Sequence, residues 1–173
     1  MIGWHKDSIH HFLSRHGDKI VPNFSSSLTG NICEMDGDMQ YEKRQVRVFV
    51  PLCGKTVDMA FLAENKRVEE VVGIDSVRVA LENFSIEHPS LDLMVPESSS
   101  PPGPGDQFEC LKGKKISLLL GDIFDLNDIA TNGRFDAVFD RASLVAIQPG
   151  LREKVGRSSG FSYTRYFTNF LRQ

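Results

Sequence analysis

Cysteine is scarce in this chain. Its three cysteines, Cys33, Cys53 and Cys110, are odd in number and far apart, with no C-x-x-C pair. Neither a disulfide framework nor a zinc site is suggested. Reduced thiols in the cytoplasm are the simplest expectation. Long apolar runs are also missing: nothing approaches the ~18–20 residues a membrane-spanning helix needs, so no membrane partner is expected. Met1 to His10 holds no apolar stretch of the kind that begins a secretory leader. Positive charge is not in excess. Lys plus Arg is 20 against 23 for Asp plus Glu, a net charge of −3, so the basic footprint of a nucleic-acid binder is absent. Four of the five histidines lie between His5 and His16, but their spacing makes no metal clamp. His10 and His11, being adjacent, would point in different directions on a helix.

Two glycine motifs are missing as well. A dinucleotide fold would carry G-x-G-x-x-G, and a P-loop would place a glycine five residues before Gly54. Position 49 is Phe49, and Gly54 stands alone behind Pro51-Leu52-Cys53.

What is present is an alternating pattern. The length of 173 residues, 40% of them hydrophobic, suits one domain. Ser8 to Ile20 reads as an amphipathic helix on Ile9, Phe12, Leu13 and His16, with Gly17 as its stop. Residues 22–45 form a long polar connection. Val46 to Val50 is β-branched and bounded by Pro51, as a buried parallel strand would be. A helix over Thr56 to Asn65 follows, then a strand at Glu69 to Asp75 and a helix at Val77 to His88. Pro96 to Gly105 holds four prolines and two glycines and reads as a surface loop. Ile116 to Leu120 and Phe135 to Phe139 are the third and fourth strands. This order argues for an α/β, Rossmann-like doubly wound sheet.

In such a sheet the ligand lies outside the carboxyl ends of the strands. Leu52, Gly54, Asp75, Asp122 and the pair Asp140-Arg141 all follow a strand, so they converge on one rim. Asp75 stands 21 residues after Gly54, where an acid at the end of the second strand can accept two hydrogen bonds from a ribose diol. The competing role for Asp75 is a cap for the helix beginning at Val77. With no pyrophosphate motif, a ribonucleoside lacking phosphates fits better than a dinucleotide. S-adenosyl-L-methionine is the main cofactor of that kind.

The segment Arg47-Val48-Phe49-Val50-Pro51-Leu52-Cys53-Gly54-Lys55-Thr56-Val57-Asp58-Met59 resembles the first motif of the thiopurine S-methyltransferase family. The resemblance continues through Val72-Gly73-Ile74-Asp75, Asp122-Ile123-Phe124-Asp125-Leu126 and Phe135-Asp136. Asp140-Arg141-Ala142-Ser143-Leu144-Val145-Ala146-Ile147 is similar to the family's Asp-Arg-Gly-Ala-Leu-Val-Ala-Ile segment, and Ile2-Gly3-Trp4-His5-Lys6 to its Ile-Gly-Phe-His-Gln segment.

The resemblance implies a class I methyltransferase that moves a methyl group from S-adenosyl-L-methionine to the sulfur of small aromatic or heterocyclic thiols. It implies that Leu52 and Gly54 pack backbone against the cofactor, Asp75 holds the ribose, and Asp122 and Ile123 flank the adenine. Trp4 would border the acceptor pocket. Arg141 would lie near that pocket and the cofactor, as the residue carrying any catalytic role; its structural alternative is a bridge to Asp140 or Asp136. Cys53 reads as a buried small hydrophobe rather than a nucleophile. The expected organisation is one domain, with residues 1–45 as amino-terminal helix and cover, 46–154 as cofactor-binding core and 155–173 as a divergent tail. The matching motifs end near Lys154, so the sheet is expected to lack the family's carboxyl-terminal strands and to leave its fourth strand at an edge. A second reading is a truncated, poorly active or inactive form that only binds the cofactor or partners.

Overall fold

In the computed structural model the described residues are 8–21, 45–95, 108–127, 130–131, 133, 135–141 and 143–152. Trp4, Cys33, the proline-rich stretch at 96–105 and the tail at 155–173 lie outside them. Among the described residues, five strands form one sheet: β1 (Val46–Pro51), β2 (Val68–Asp75), β3 (Glu109–Lys112), β4 (Ile116–Leu120) and β5 (Ala137–Val138). Their spatial order is β3-β4-β2-β1-β5. β1 pairs in parallel with β2 and β5, and β2 pairs in parallel with β4. The helices are α1 (His11–Ile20), α2 (Val57–Glu64), α3 (Arg78–Glu87) and α4 (Ser143–Ala146).

Side chains alternate across a strand, and here each face has its own core. Val46, Val48 and Val50 of β1, Val71 of β2 and Leu118 of β4 pack with Leu13 of α1, Met59 and Leu62 of α2, and Leu81 and Phe84 of α3. Phe49, Val72, Ile74 and Leu119 face the other way and meet Ile123, Leu126 and Ile147. The connections β1-α2-β2 and β2-α3-β4 therefore lie on one face. The chain from β4 to β5 crosses to the other. The sheet reverses its winding beside β1, which makes the carboxyl end of β1 the switch point where α/β sheets bind ligands.

Several elements depart from expectation. β3, unread in the sequence, runs antiparallel to β4 and adds a fifth strand. Its end residues are exposed and its middle two half-buried, and it is held by the turn in which the Gly113 N–H donates to the Ile116 carbonyl at 2.8 Å. Met94 then bridges to Lys112 at the sheet's outer edge. The expected strand at Phe135 to Phe139 is paired over Ala137–Val138, which is the last strand on the other side of the sheet among the described residues. Gly17 does not stop α1, which continues to Ile20 past a non-helical His16. His10 is the N-cap of α1, in extended backbone. That removes the helical geometry that would separate it from His11, and the two rings lie 4.6 Å apart.

Candidate functional site

The turn after β1 is built from two left-handed residues. Leu52 has φ of 43° and Gly54 φ of 53°. The first is unusual for a residue with a branched side chain, and the neighbours hold it there. The Cys53 N–H donates to the Ile74 carbonyl at 2.9 Å, extending the β1–β2 ladder by one residue. Gly73 makes room below. A Cβ there would sit 2.8 Å from both Cys53 Sγ and Met59 Sδ, so only glycine lets the turn and α2 lie this close to β2.

Asp75 closes the turn. Its Oδ2 accepts the Gly54 N–H at 2.8 Å and its Oδ1 accepts the Val77 N–H at 2.9 Å. The N-cap of α3 is Val77, with no side-chain cap bond, so Asp75 is not the capping residue itself. A carboxylate offers about four acceptor positions. Two are used by the backbone, and Asp75 remains 9% exposed at the strand end.

Beside this turn lies a cleft of about 350 Å³. Leu52 lines it from β1 and Ser76 from β2. Gly121, Asp122, Ile123 and Phe124 line it from β4, and Ala146 to Gln148 with Leu151 close it from α4 and the turn beyond. The Gly121 N–H donates to the Asp75 carbonyl at 3.0 Å, which joins the β2 and β4 ends. Asp122 is exposed, and its Oδ1 accepts the Phe124 N–H at 2.9 Å. Of the residues singled out in the sequence, Leu52, Asp122 and Ile123 line the cleft. Gly54 and Asp75 are bonded to each other and are not among its lining residues, though Ser76, next to Asp75, is. Trp4 lies outside the described residues.

Arg141 is elsewhere on the rim. Its guanidinium meets the first turn of α2, not the cleft lining. Nη1 donates to Asp58 Oδ2 at 2.8 Å and to Thr56 Oγ1 at 3.0 Å. The expected structural alternatives are replaced: Asp140 caps α4 through Ser143, and Asp136 accepts the Arg47 N–H. Asp58 belongs to the first motif, and the sequence assigns it no role. Nothing in its local sequence separates it from an ordinary first-turn acid, because its partners are 48 and 83 residues away. Lys55, the residue a phosphate would attract, is paired with Glu87 at the end of α3.

Cys53 is 5% exposed. Burial first, and the nearby Asp75 charge second, push its thiol well above the ordinary range. A higher pKa means less thiolate at any given pH. In a titration with a disulfide reagent at pH 8, Cys53 is expected to stay unreacted until denaturant is added. Labelling of Cys53 in the folded protein, located by peptide mass, would contradict this.

The sequence profile of thiopurine S-methyltransferase (TPMT) matches residues 36–158. Thiopurine S-methyltransferase of Canis lupus familiaris is 31% identical over 88% of this chain and 52% of its own length. That of Stutzerimonas stutzeri is 39% identical over 62% of this chain and 41% of its own. A probable thiopurine S-methyltransferase of Danio rerio is 32% identical over 88% and 55%. Among solved structures, the methyltransferase domain of bacterial-CtHen1-CN aligns over 65% of this chain and 50% of its own, at 18% identity and a TM-score of 0.46. The chain spans about half the length of the curated relatives it matches. The turn, the strand-end acid and the cleft thus sit inside the matched region, and the chain belongs to the thiopurine S-methyltransferase family.

Proposed function

We propose that the chain binds S-adenosyl-L-methionine at the β1–β2–β4 rim and serves methyl transfer to the sulfur of small aromatic or heterocyclic thiols. The observation that carries this reading is Asp75: a strand-end carboxylate whose two backbone bonds leave acceptor positions for a ribose diol, beside a cleft of about 350 Å³. Small-molecule sites run from ~300 to 1,000 Å³ and are mostly apolar. Leu52, Ile123, Phe124 and Ile147 supply apolar walls of that kind.

The residues present fit the cofactor. Asp75 would hold the ribose. The backbone of Leu52 and Gly54 would lie against it, Asp122 and Ile123 would flank the adenine, and Arg141 would meet an anionic group. Trp4 would border the thiol. When bound, S-adenosyl-L-methionine supplies an activated methyl group on a positively charged sulfur. A thiolate is already a strong nucleophile, so the chain's task is to hold the two partners in line and keep water out. No acid or base from the chain is required. The cytoplasm is the compartment we propose, where Cys53 and Cys110 would stay the free thiols they are.

Calorimetry with S-adenosyl-L-homocysteine, S-adenosyl-L-methionine and NAD tests the cofactor assignment. The first two are expected to bind and NAD to give no heat. Binding of NAD alone would overturn it. Turnover with an aromatic thiol, followed by mass spectrometry, tests the transfer. Binding without turnover would leave the cofactor site and remove the enzyme.

A further inference from the structure

Asp58 is fully buried, with no exposure at all. A carboxylate fully out of water is costly unless its oxygens are met by donors. Three donors meet it. Oδ1 accepts the His10 N–H at 2.7 Å, and Oδ2 accepts the Thr56 hydroxyl at 2.9 Å and Arg141 Nη1 at 2.8 Å. These come from the start of α1, the N-cap of α2 and the segment after β5. Asp58 also lies in the first turn of α2, where a negative charge is favoured.

The same bonds divide the guanidinium. Nη1 is committed to Asp58 and Thr56. Among the described residues, Nε and Nη2 of Arg141 have no hydrogen-bond partner, and neither is sealed from solvent. The side chain is 19% exposed. Nε and Nη2 form one edge of a planar fork, the edge that meets a carboxylate with two parallel bonds. The charge of Arg141 is meanwhile balanced by Asp58, so what the pair offers a ligand is direction rather than net charge.

We propose that Asp58 is a positioning residue that acts through Arg141. By fixing Nη1 it presents the Nε–Nη2 edge as a preformed clamp for an anionic group on the ligand at the strand-end rim. Its other oxygen fastens the start of α1 to the same point, so that helix end and the clamp take their places together. The proposal rests on the cofactor reading above only for the identity of the ligand.

The test is a double-mutant cycle read by calorimetry with S-adenosyl-L-homocysteine. Charge-assisted hydrogen bonds are the strong class, so Arg141→Ala is expected to weaken binding roughly tenfold or more. Asp58→Asn keeps the shape but gives up the charge. It should weaken binding by a similar factor, and Arg141→Ala added to it should cost less than about threefold more, because the clamp is already lost. Independent effects, in which the two factors multiply, would mean that Asp58 is merely structural and would overturn the proposal. A second readout needs no variant. In 15N-arginine spectra of the wild-type protein, the Arg141 guanidinium should show restricted rotation at Nη1; free averaging there would also overturn the proposal. If wild-type protein binds no S-adenosyl-L-homocysteine, the cofactor reading falls. The positioning claim is then decided by that spectrum.

Discussion

Replacing Asp75 by alanine is expected to abolish measurable binding of S-adenosyl-L-homocysteine. Two losses combine. The ribose diol would lose both of its charge-assisted hydrogen bonds, each worth about 1.5–3 kcal/mol. The Gly54 N–H, held at 2.8 Å by Oδ2, and the Val77 N–H, held at 2.9 Å by Oδ1, would lose their acceptor. The first loss alone predicts a fall in affinity of about a hundredfold or more, since each 1.4 kcal/mol is about tenfold. The second releases the β1 turn, whose left-handed Leu52 and Gly54 are kept in place by neighbours. Asp75→Asn should fare little better. Its amide has one acceptor oxygen, so its NH2 must face one of the two backbone donors. Glu109→Gln is the control: Glu109 is exposed on β3 and paired with Arg78, so its removal should leave affinity unchanged. Titrations at up to millimolar ligand decide the matter. Wild-type affinity in Asp75→Ala would show that the ribose is not bound here.

Much of this site was legible because its signals are local. The later residues of β1 and β2, 48–50 and 71–74, are buried on both faces, and the strand ends are marked by Pro51 and Asp75. Leu52, Gly54, Asp75 and Asp122 follow from the strand ends, while Ile123 rests on the family resemblance. What escaped depends on contacts far apart in sequence. β3 is four residues with charged ends, Glu109 and Lys112, and becomes a strand through Gly113 and its partner β4. The acids near Arg141 in sequence are Asp140 and Asp136. The chain instead uses Asp140 to cap α4 and Asp136 to anchor β1, and brings Asp58 across from α2. Local reading finds which residues stand on the rim; it does not find which of them hold one another.

Phe49→Ala is expected to cause the largest loss of stability of any single truncation beside the site. Phe49 is fully buried in β1, between β2 and β5, and its ring stacks on Phe135 at 5.0 Å. Around it pack Val72, Ile74, Leu119, Ile123 and Ile147. Truncating a buried phenylalanine costs about 3–5 kcal/mol, from lost transfer energy and the cavity left behind. For a chain of this size that corresponds to a fall in Tm of roughly 10 °C. The effect should reach the ligand as well, because Ile123 and Ile147 belong both to this cluster and to the cleft wall. Phe49→Leu keeps most of the volume and should lose much less. Val79→Ala, on the exposed side of α3 at 58% exposure, should leave Tm within error. Thermal melts by circular dichroism, with and without S-adenosyl-L-homocysteine, separate the two consequences. A Phe49→Ala protein with an unchanged Tm would mean that this face of the sheet is not packed. An altered Tm with unchanged ligand stabilisation would mean that the cluster supports the fold without shaping the cleft.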